Sequence, residues 1–185
     1  MARVPLVPEP GDELTASVFA QSVKEGREPI ALYRALANSP RLLHAYATLA
    51  RALRYEAETP RALRELVILR IAQLTSSEYE WAHHRQMAAS AGVPEEHVRE
   101  LAGWRESAVF DARERAALRC AEEMHDLALG EEGFGELRAS FGDSEVVELV
   151  LLVAFYETVA RVLQALGLEV EPEYRAFLGG DGAPG

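Results

Sequence analysis

Apolar residues recur at three- and four-residue steps along most of the chain and nowhere alternate for long. Leu42, Leu43, Tyr46, Leu49, Ala50 and Leu53 form one stripe, Ala117, Leu118, Ala121, Met124, Leu127 and Ala128 a second, and Val146, Leu149, Val150, Val153, Ala154, Tyr156 and Val159 a third. Such spacing keeps side chains on one helix face, so each stripe predicts a half-buried helix. Leu63, Leu66, Val67, Ile68, Leu69, Ile71 and Leu74 are denser, which predicts a central helix covered on nearly all sides. Breakers at Thr59-Pro60, Thr75-Ser76-Ser77, Gly92-Val93-Pro94, Gly103, Gly130, Gly142-Asp143 and Gly167 separate the segments. Asp12 is placed to cap a helix through about Glu25, and Pro29 or Ile30 to open a short one that stops before Asn38-Ser39-Pro40. No segment reads as a strand, so the expected fold class is all-α.

Pro5, Pro8 and Pro10 each fix φ and remove a donor, so residues 1–11 are expected to form an irregular N-terminal arm. Residues 12–178 are expected to fold as a single helical domain and residues 179–185 to trail as a flexible tail. The length of 185 residues fits one domain, and 49% apolar with 26% charged residues fits an ordinary globular protein. A net charge of −11 repels phosphate backbones and anionic lipid, which argues against nucleic-acid and membrane partners. Cys120 is the only thiol, so no intrachain disulfide forms, and a reducing cytoplasm is the expected compartment. The N-terminus lacks a signal-like apolar core, and Leu149 to Phe155 falls far short of the roughly 20 residues that span a bilayer.

Chemistry concentrates in Thr75-Ser-Ser-Glu-Tyr-Glu-Trp-Ala-His-His-Arg-Gln, which crowds polar and aromatic groups into the first turns of one helix. Ser77 and Glu80 have capping-box spacing. Ser77, Glu80 and His84 line one face and Tyr79 with His83 another. A carboxylate beside an imidazole fixes its tautomer and orients it, which a proton-transfer residue needs; the plainer reading is a surface ion pair or a satisfied core histidine. Glu65 lies within the densest apolar segment, where a carboxylate either emerges at an edge beside Arg61 or is buried with a partner such as His84. Glu80-x-x-His83 and Glu122-x-x-His125 both match a di-iron ligand motif, but Glu is too abundant here for two matches to be surprising. Cys120 reads as an inert core thiol. Trp81 and Trp104 suit core or subunit-interface anchors better than cofactor walls. Arg64 to Leu69 and Val147 to Leu152 share Glu-Leu-Val and two aliphatics, 83 residues apart, a pattern of either duplication or coincidence.

Pro60-Arg-Ala-Leu-Arg-Glu-Leu-Val-Ile-Leu-Arg, then Ser77-Glu-Tyr-Glu-Trp-Ala-His-His, Ala91-Gly-Val-Pro, Asp111-Ala-Arg-Glu-Arg-Ala-Ala-Leu and Val147-Glu-Leu-Val together resemble the carboxymuconolactone decarboxylase and alkylhydroperoxidase-D-like superfamily. The resemblance runs from about Tyr33 to Leu168. It implies a compact orthogonal bundle of roughly eight to nine helices that self-associates as a dimer, trimer or hexamer. The peroxidase branch uses a Glu, a Cys-x-x-Cys pair and a His; by the resemblance these positions fall on Glu65, on Ser77 and Glu80, and on His84. Neither Ser nor Glu replaces a thiolate, so thiol peroxidase chemistry does not carry over.

The branch without the cysteine pair implies a decarboxylase-like lyase or an isomerase, with no cofactor or metal, acting on a small anionic lactone or carbonyl compound. Glu65, Glu80 and His84 are the expected catalytic residues, with Ser77, Tyr79, His83 and Trp81 the substrate-binding ones. His84, oriented by Glu65 or Glu80, would move a proton at a carbon or enol oxygen, and Ser77 or Tyr79 would hydrogen-bond the oxyanion. Arg61, Arg64, Arg70 and Arg85 are candidates for a substrate carboxylate. The alternatives are a non-catalytic oligomer with a buried polar network and a redox protein that uses Cys120.

Overall fold

The computed structural model describes residues 2–180 and 182–184, so Met1 of the expected arm and Asp181 and Gly185 of the expected tail lie outside the described residues. The described chain contains nine α-helices and no strand: α1 (Glu13–Lys24), α2 (Ala31–Leu36), α3 (Pro40–Arg51), α4 (Arg61–Leu74), α5 (Glu78–Ser90), α6 (Glu95–Glu100), α7 (Ala112–His125), α8 (Glu131–Ser140) and α9 (Asp143–Leu166). A π-helical turn, Ala52–Glu56, continues α3, and 3-10 turns occupy Leu101–Gly103 and Pro172–Phe177. Local chemistry sets several ends. Asp12 accepts from the Leu14 and Thr15 amides at 3.0 Å each, Asp111 and Glu114 close a capping box, and Gly167 ends α9 in the left-handed region at φ 61°.

Helix α4 forms the axis of the bundle. Val67, Ile68 and Ile71 enter a core shared with Cys120, Leu149, Leu152 and Val153. Leu66, Leu69 and Ala72 face a second core with Trp81, Val98, Leu101, Trp104 and Leu118. Both flanks are therefore apolar, and the dense sequence pattern is accounted for. A third cluster, Val18, Phe19, Tyr33, Ala37 and Leu43, joins α1 to α2 and α3.

The connection from α4 to α5 is only Thr75, Ser76 and Ser77. It turns so sharply that Ser76 takes a left-handed φ of 50°, and the Ser77 amide donates back to the Ala72 carbonyl at 2.9 Å. The hairpin lays α5 back along α4, so Glu65, one turn into α4, meets His84, midway along α5. The segment that resembles α4, at the start of α9, serves another purpose. Glu148 accepts from the Glu58 and Thr59 amides at 2.8 and 2.9 Å and tethers the approach to α4. Irregular residues 2–11 are tied to α2 and its end through Val7 N–H to Arg34 O and Asn38 to Pro5 O.

Candidate active site

Glu65 is fully buried in α4, and both its oxygens are used. Oε1 accepts from Arg61 at 2.6 Å, and Oε2 meets His84 Nδ1 on α5 at 2.7 Å. Burial alone would raise this carboxyl, but His84 and Arg61 outweigh it and hold Glu65 below the usual glutamate range. An ionised Glu65 accepts, so Nδ1 of His84 carries the proton and Nε2 keeps its lone pair. Burial pushes the His84 imidazole down, against the pull of Glu65, and Arg54 adds to the lowering. The ring stands edge-on to Tyr156, centroids 4.9 Å apart.

Glu80 differs. It is 2% exposed, and neither carboxyl oxygen has a hydrogen-bond partner. Burial pushes it up to about 8; the Ser77 hydroxyl, outside bonding geometry to that carboxyl, offsets this only in part, and Glu157 adds to the rise. A carboxyl with this pKa is mostly protonated at neutral pH. Ser77 does cap α5, accepting from the Glu80 amide at 3.4 Å. The expected reciprocal bond from the Glu80 carboxyl is not made, because that side chain turns inward.

Glu80 and His84 line one cavity of about 40 Å³ with Arg54, Tyr33, Tyr46, Tyr79, His83, Phe155 and Tyr156 among its other walls. That space exceeds the roughly 10–15 Å³ one water needs. Arg27, Tyr33 and Arg54 also line a cleft of about 150 Å³ between α1 and α3. Arg27 and Met87 are shared with a second cleft, of about 500 Å³, which Arg61, Tyr55 and Tyr174 flank. Glu80 and His84 themselves line neither cleft; Arg27, Tyr33, Arg54 and Met87 are the walls that the cavity shares with them.

The other candidates are placed unequally. Tyr79 and His83 stack, with centroids 4.5 Å apart, and both line the cavity. Their polar atoms are committed elsewhere: Tyr79 donates to Glu171 Oε1 at 2.6 Å and His83 Nε2 meets Glu171 Oε2 at 2.8 Å. Tyr174 covers the other face of His83 at 3.7 Å, so residues 171–174 form a strap over α5. Burial would raise Glu171, but His83, Tyr79 and the Ala31 amide reverse this and bring it to about 2. Ser77 opens onto a separate cleft beside Gln164 and Arg175. Trp81 sits fully buried in the second core.

Arg54 and Glu171 escaped the sequence reading. Arg54 stands four residues after Ala50 on a buried stripe, a signal that marks it; Glu171 lies in an aperiodic segment and carries none. The four arginines proposed for a substrate carboxylate are all engaged. Arg61 holds Glu65, Arg70 holds Glu122 at 2.5 Å, and Arg85 holds Glu95 at 2.5 Å. Arg64 donates to the Ala57, Thr59 and Arg54 carbonyls.

The two Glu-x-x-His segments do not converge. Glu122 is bound by Arg70, Trp104 and Arg105, and His125 meets Glu157. Among the described residues no group of three or more His, Cys, Asp or Glu comes together as a metal site. Cys120 is in the main core with Sγ against Met124 Sδ at 3.7 Å, and burial pushes its thiol up to about 11. No helix among the described residues is long and apolar enough to cross a membrane.

Residues 40–123, from α3 through most of α7, match the Carboxymuconolactone decarboxylase family. No curated protein matches the chain. Among solved structures, an uncharacterized peroxidase-related protein from Silicibacter sp. TM1040 is similar with a TM-score of 0.80 at 20% identity, over 96% of this chain and 94% of that one. The apo debrominase Bmp8 gives 0.78 at 21% identity over 89% of each chain. An uncharacterized peroxidase-related protein from Ralstonia eutropha JMP134, described as an alkylhydroperoxidase AhpD core, gives 0.75 at 19% identity over 98% of this chain and 99% of that one. The likeness at these identities is one of fold. The family match across α3 to α7, a helical bundle among the described residues and the lack of a Cys-x-x-Cys pair make the chain similar to the carboxymuconolactone decarboxylases in that segment and to the AhpD-like proteins in fold.

Proposed function

We propose that this protein is a cofactor-free acid/base enzyme that moves a proton within a small carboxylated carbonyl or lactone compound. The observation that carries this reading is a single one. Glu80 and His84, one turn apart on α5, border the same cavity with the usual order of their pKa values reversed, the carboxyl up to about 8 and the imidazole down. Paired groups displaced in this way divide into acid and base. His84 Nε2, its tautomer set by Glu65, takes a proton from the carbon next to the carbonyl. Glu80, protonated, gives its own proton to the carbonyl oxygen, and the enol forms without a free anion. Return of the proton to another carbon isomerises the compound. Glu80 takes the oxyanion-donor place expected of Ser77 or Tyr79, since Ser77 lies off the cavity and Tyr79 is bound to Glu171.

The redox alternative has no support in the site, since the only thiol is a core residue driven further from its thiolate form. The test is deuterium uptake in D2O by a panel of enolisable oxo acids and lactones, followed by proton NMR. The reading expects uptake by at least one compound with the native chain and loss of it in His84→Gln and Glu80→Gln. Uptake undiminished in His84→Gln refutes it.

A further inference from the structure

Arg54 is 8% exposed and forms no ion pair with any described carboxylate. Its Nε donates to the Ala50 carbonyl at 3.1 Å and its Nη2 to the Tyr33 hydroxyl at 3.2 Å, while Nη1 has no acceptor among the described residues. Glu25 lies near enough to feel its charge but is bound to Arg27 at 2.5 Å and Arg51 at 3.7 Å. A buried guanidinium without a counter-charge is costly, and a fold keeps one where an anion completes it. The surroundings hold it in place. Arg54 belongs to the π-helical turn, and its own carbonyl accepts from both Arg61 and Arg64, at 3.1 and 3.0 Å. π-Turns of this kind recur at functional sites.

From these observations we infer that the site takes a monocarboxylate, its carboxylate clamped by Arg54 where the cleft between α1 and α3 meets the cavity of Glu80 and His84. Arg54 lines both spaces, so a ligand anchored there reaches the cavity with its carbonyl end and leaves any longer tail in the cleft. The count of charges sets the number of carboxylates. Arg27, the other arginine on the cavity wall, is already neutralised by Glu25; Arg61, Arg70 and Arg85 hold carboxylates, and Arg64, which makes no ion pair among the described residues, is off the cavity wall and bound to backbone carbonyls. One unpaired arginine on the cavity wall fits one carboxylate, and a second in the cleft would lie near Glu25. An ion pair to Arg54 also stabilises the intact carboxylate and opposes its departure as carbon dioxide, so the chemistry this clamp suits is a proton shift that keeps the acid group. The inference rests on the proposed function for its reaction, but its test rests on binding alone.

The experiment is calorimetric titration of the native chain with butyrate, butyramide and succinate, three ligands of matched length. Butyrate is expected to bind at least tenfold more tightly than either of the others. Arg54→Gln is expected to weaken butyrate at least tenfold and leave butyramide unchanged, and Arg54→Lys, which keeps the charge but loses the fork, to fall between. Should Arg54→Gln not fold, the three-ligand comparison on the native chain decides the question. Succinate binding as tightly as butyrate, butyramide matching butyrate, or no detectable butyrate binding each overturns the inference. His125→Gln, which is off the cavity wall, should bind butyrate like the native chain. Butyrate preference without deuterium uptake by any oxo acid would refute the acid/base reading and leave the Arg54 clamp standing.

Discussion

The tetrapeptide Glu-x-x-His occurs on α5 and on α7, and the two copies have been put to opposite ends. Glu122 meets Arg70 and Trp104 and the exposed Arg105, and these donors, outweighing burial, hold it below the usual glutamate range. Glu80 meets no donor at all, and burial drives it up to about 8. The histidines diverge as well. His125 is paired with Glu157 near the surface, whereas His83 is clasped between two tyrosines and its neighbour His84 is the imidazole against Glu65. What separates the copies is what the neighbouring helices present. Cations reach Glu122 from α4 and from the segment after α6, while Glu80 faces aromatic rings and a cation, Arg54, that does not pair with it. A motif thus states which groups are available and leaves their protonation to the packing.

The largest effect expected from breaking this contrast falls on His84. Replacing it with Gln removes the proposed base from the cavity wall, and turnover on any compound found by deuterium uptake should fall by about 10²–10⁴-fold, the usual contribution of general acid–base catalysis. The matching change on α7, His125→Gln, should leave turnover within about twofold. Equal losses at both positions would dissolve the distinction between the two segments.

Glu80→Gln sharpens the contrast through stability. An ordinary glutamate ionises near 4.5, and Glu80 in the folded chain near 8. Between those values the unfolded chain has released a proton that the folded chain still binds, so folding weakens as pH rises through the window. Gln does not titrate there. The stability of Glu80→Gln relative to the native chain should therefore climb between pH 4 and pH 9, by on the order of 4 kcal/mol. Urea denaturation at both values measures it, and a difference that stays level with pH means Glu80 is not held protonated.

Next comes Glu65→Gln, which strips a buried charge from between Arg61 and His84. Removing one member of such a pair costs about 3 kcal/mol, because the guanidinium is left without its partner. This loss should be largest at neutral pH and shrink in acid. Glu65 is held low, so its contribution is present above the ordinary glutamate pKa and is lost as pH falls through its lower folded value. An equal loss at all pH values would assign the effect to packing.

These contrasts bear on what the sequence could disclose. Helical stripes are local, so the axis role of α4 follows from Leu63 to Leu74, and Glu65 within that run already requires a partner. His84 as that partner needed only the short hairpin through Ser76. Glu80 was legible as a group but not in its state, since its spacing from Ser77 suits a cap equally well, and only the inward turn of its carboxyl decides between them. Arg54 was legible in register yet hidden in purpose, because nothing along the chain tells that Glu25 is taken by Arg27 and Arg51. Glu171 was illegible. Its bonds to Tyr79 and His83 join segments about 90 residues apart through a strap with no periodic pattern.

The smallest effect belongs to Glu122→Gln, and its sign is the last check on the comparison. Glu122 ties Arg70 on α4 and Arg105 beyond α6 to α7, and the Trp104 indole donates to the same oxygen as Arg70. Burial works against its charge and these donors outweigh it, so the ionised form favours the folded chain. Part of the cluster is open to water, and screening reduces what the ion pairs contribute to about 1 kcal/mol at neutral pH. The substitution should therefore destabilise by about that amount near pH 7, and the deficit should close as pH falls below the carboxylate range. At pH 9 the two Glu-to-Gln changes should have opposite signs: Glu122→Gln less stable than the native chain, and Glu80→Gln more stable. Two chemically identical substitutions at the same place in a repeated tetrapeptide then differ only through their neighbours. A shared sign at pH 9 would show that burial alone, without the arginines and Trp104, governs both carboxyls.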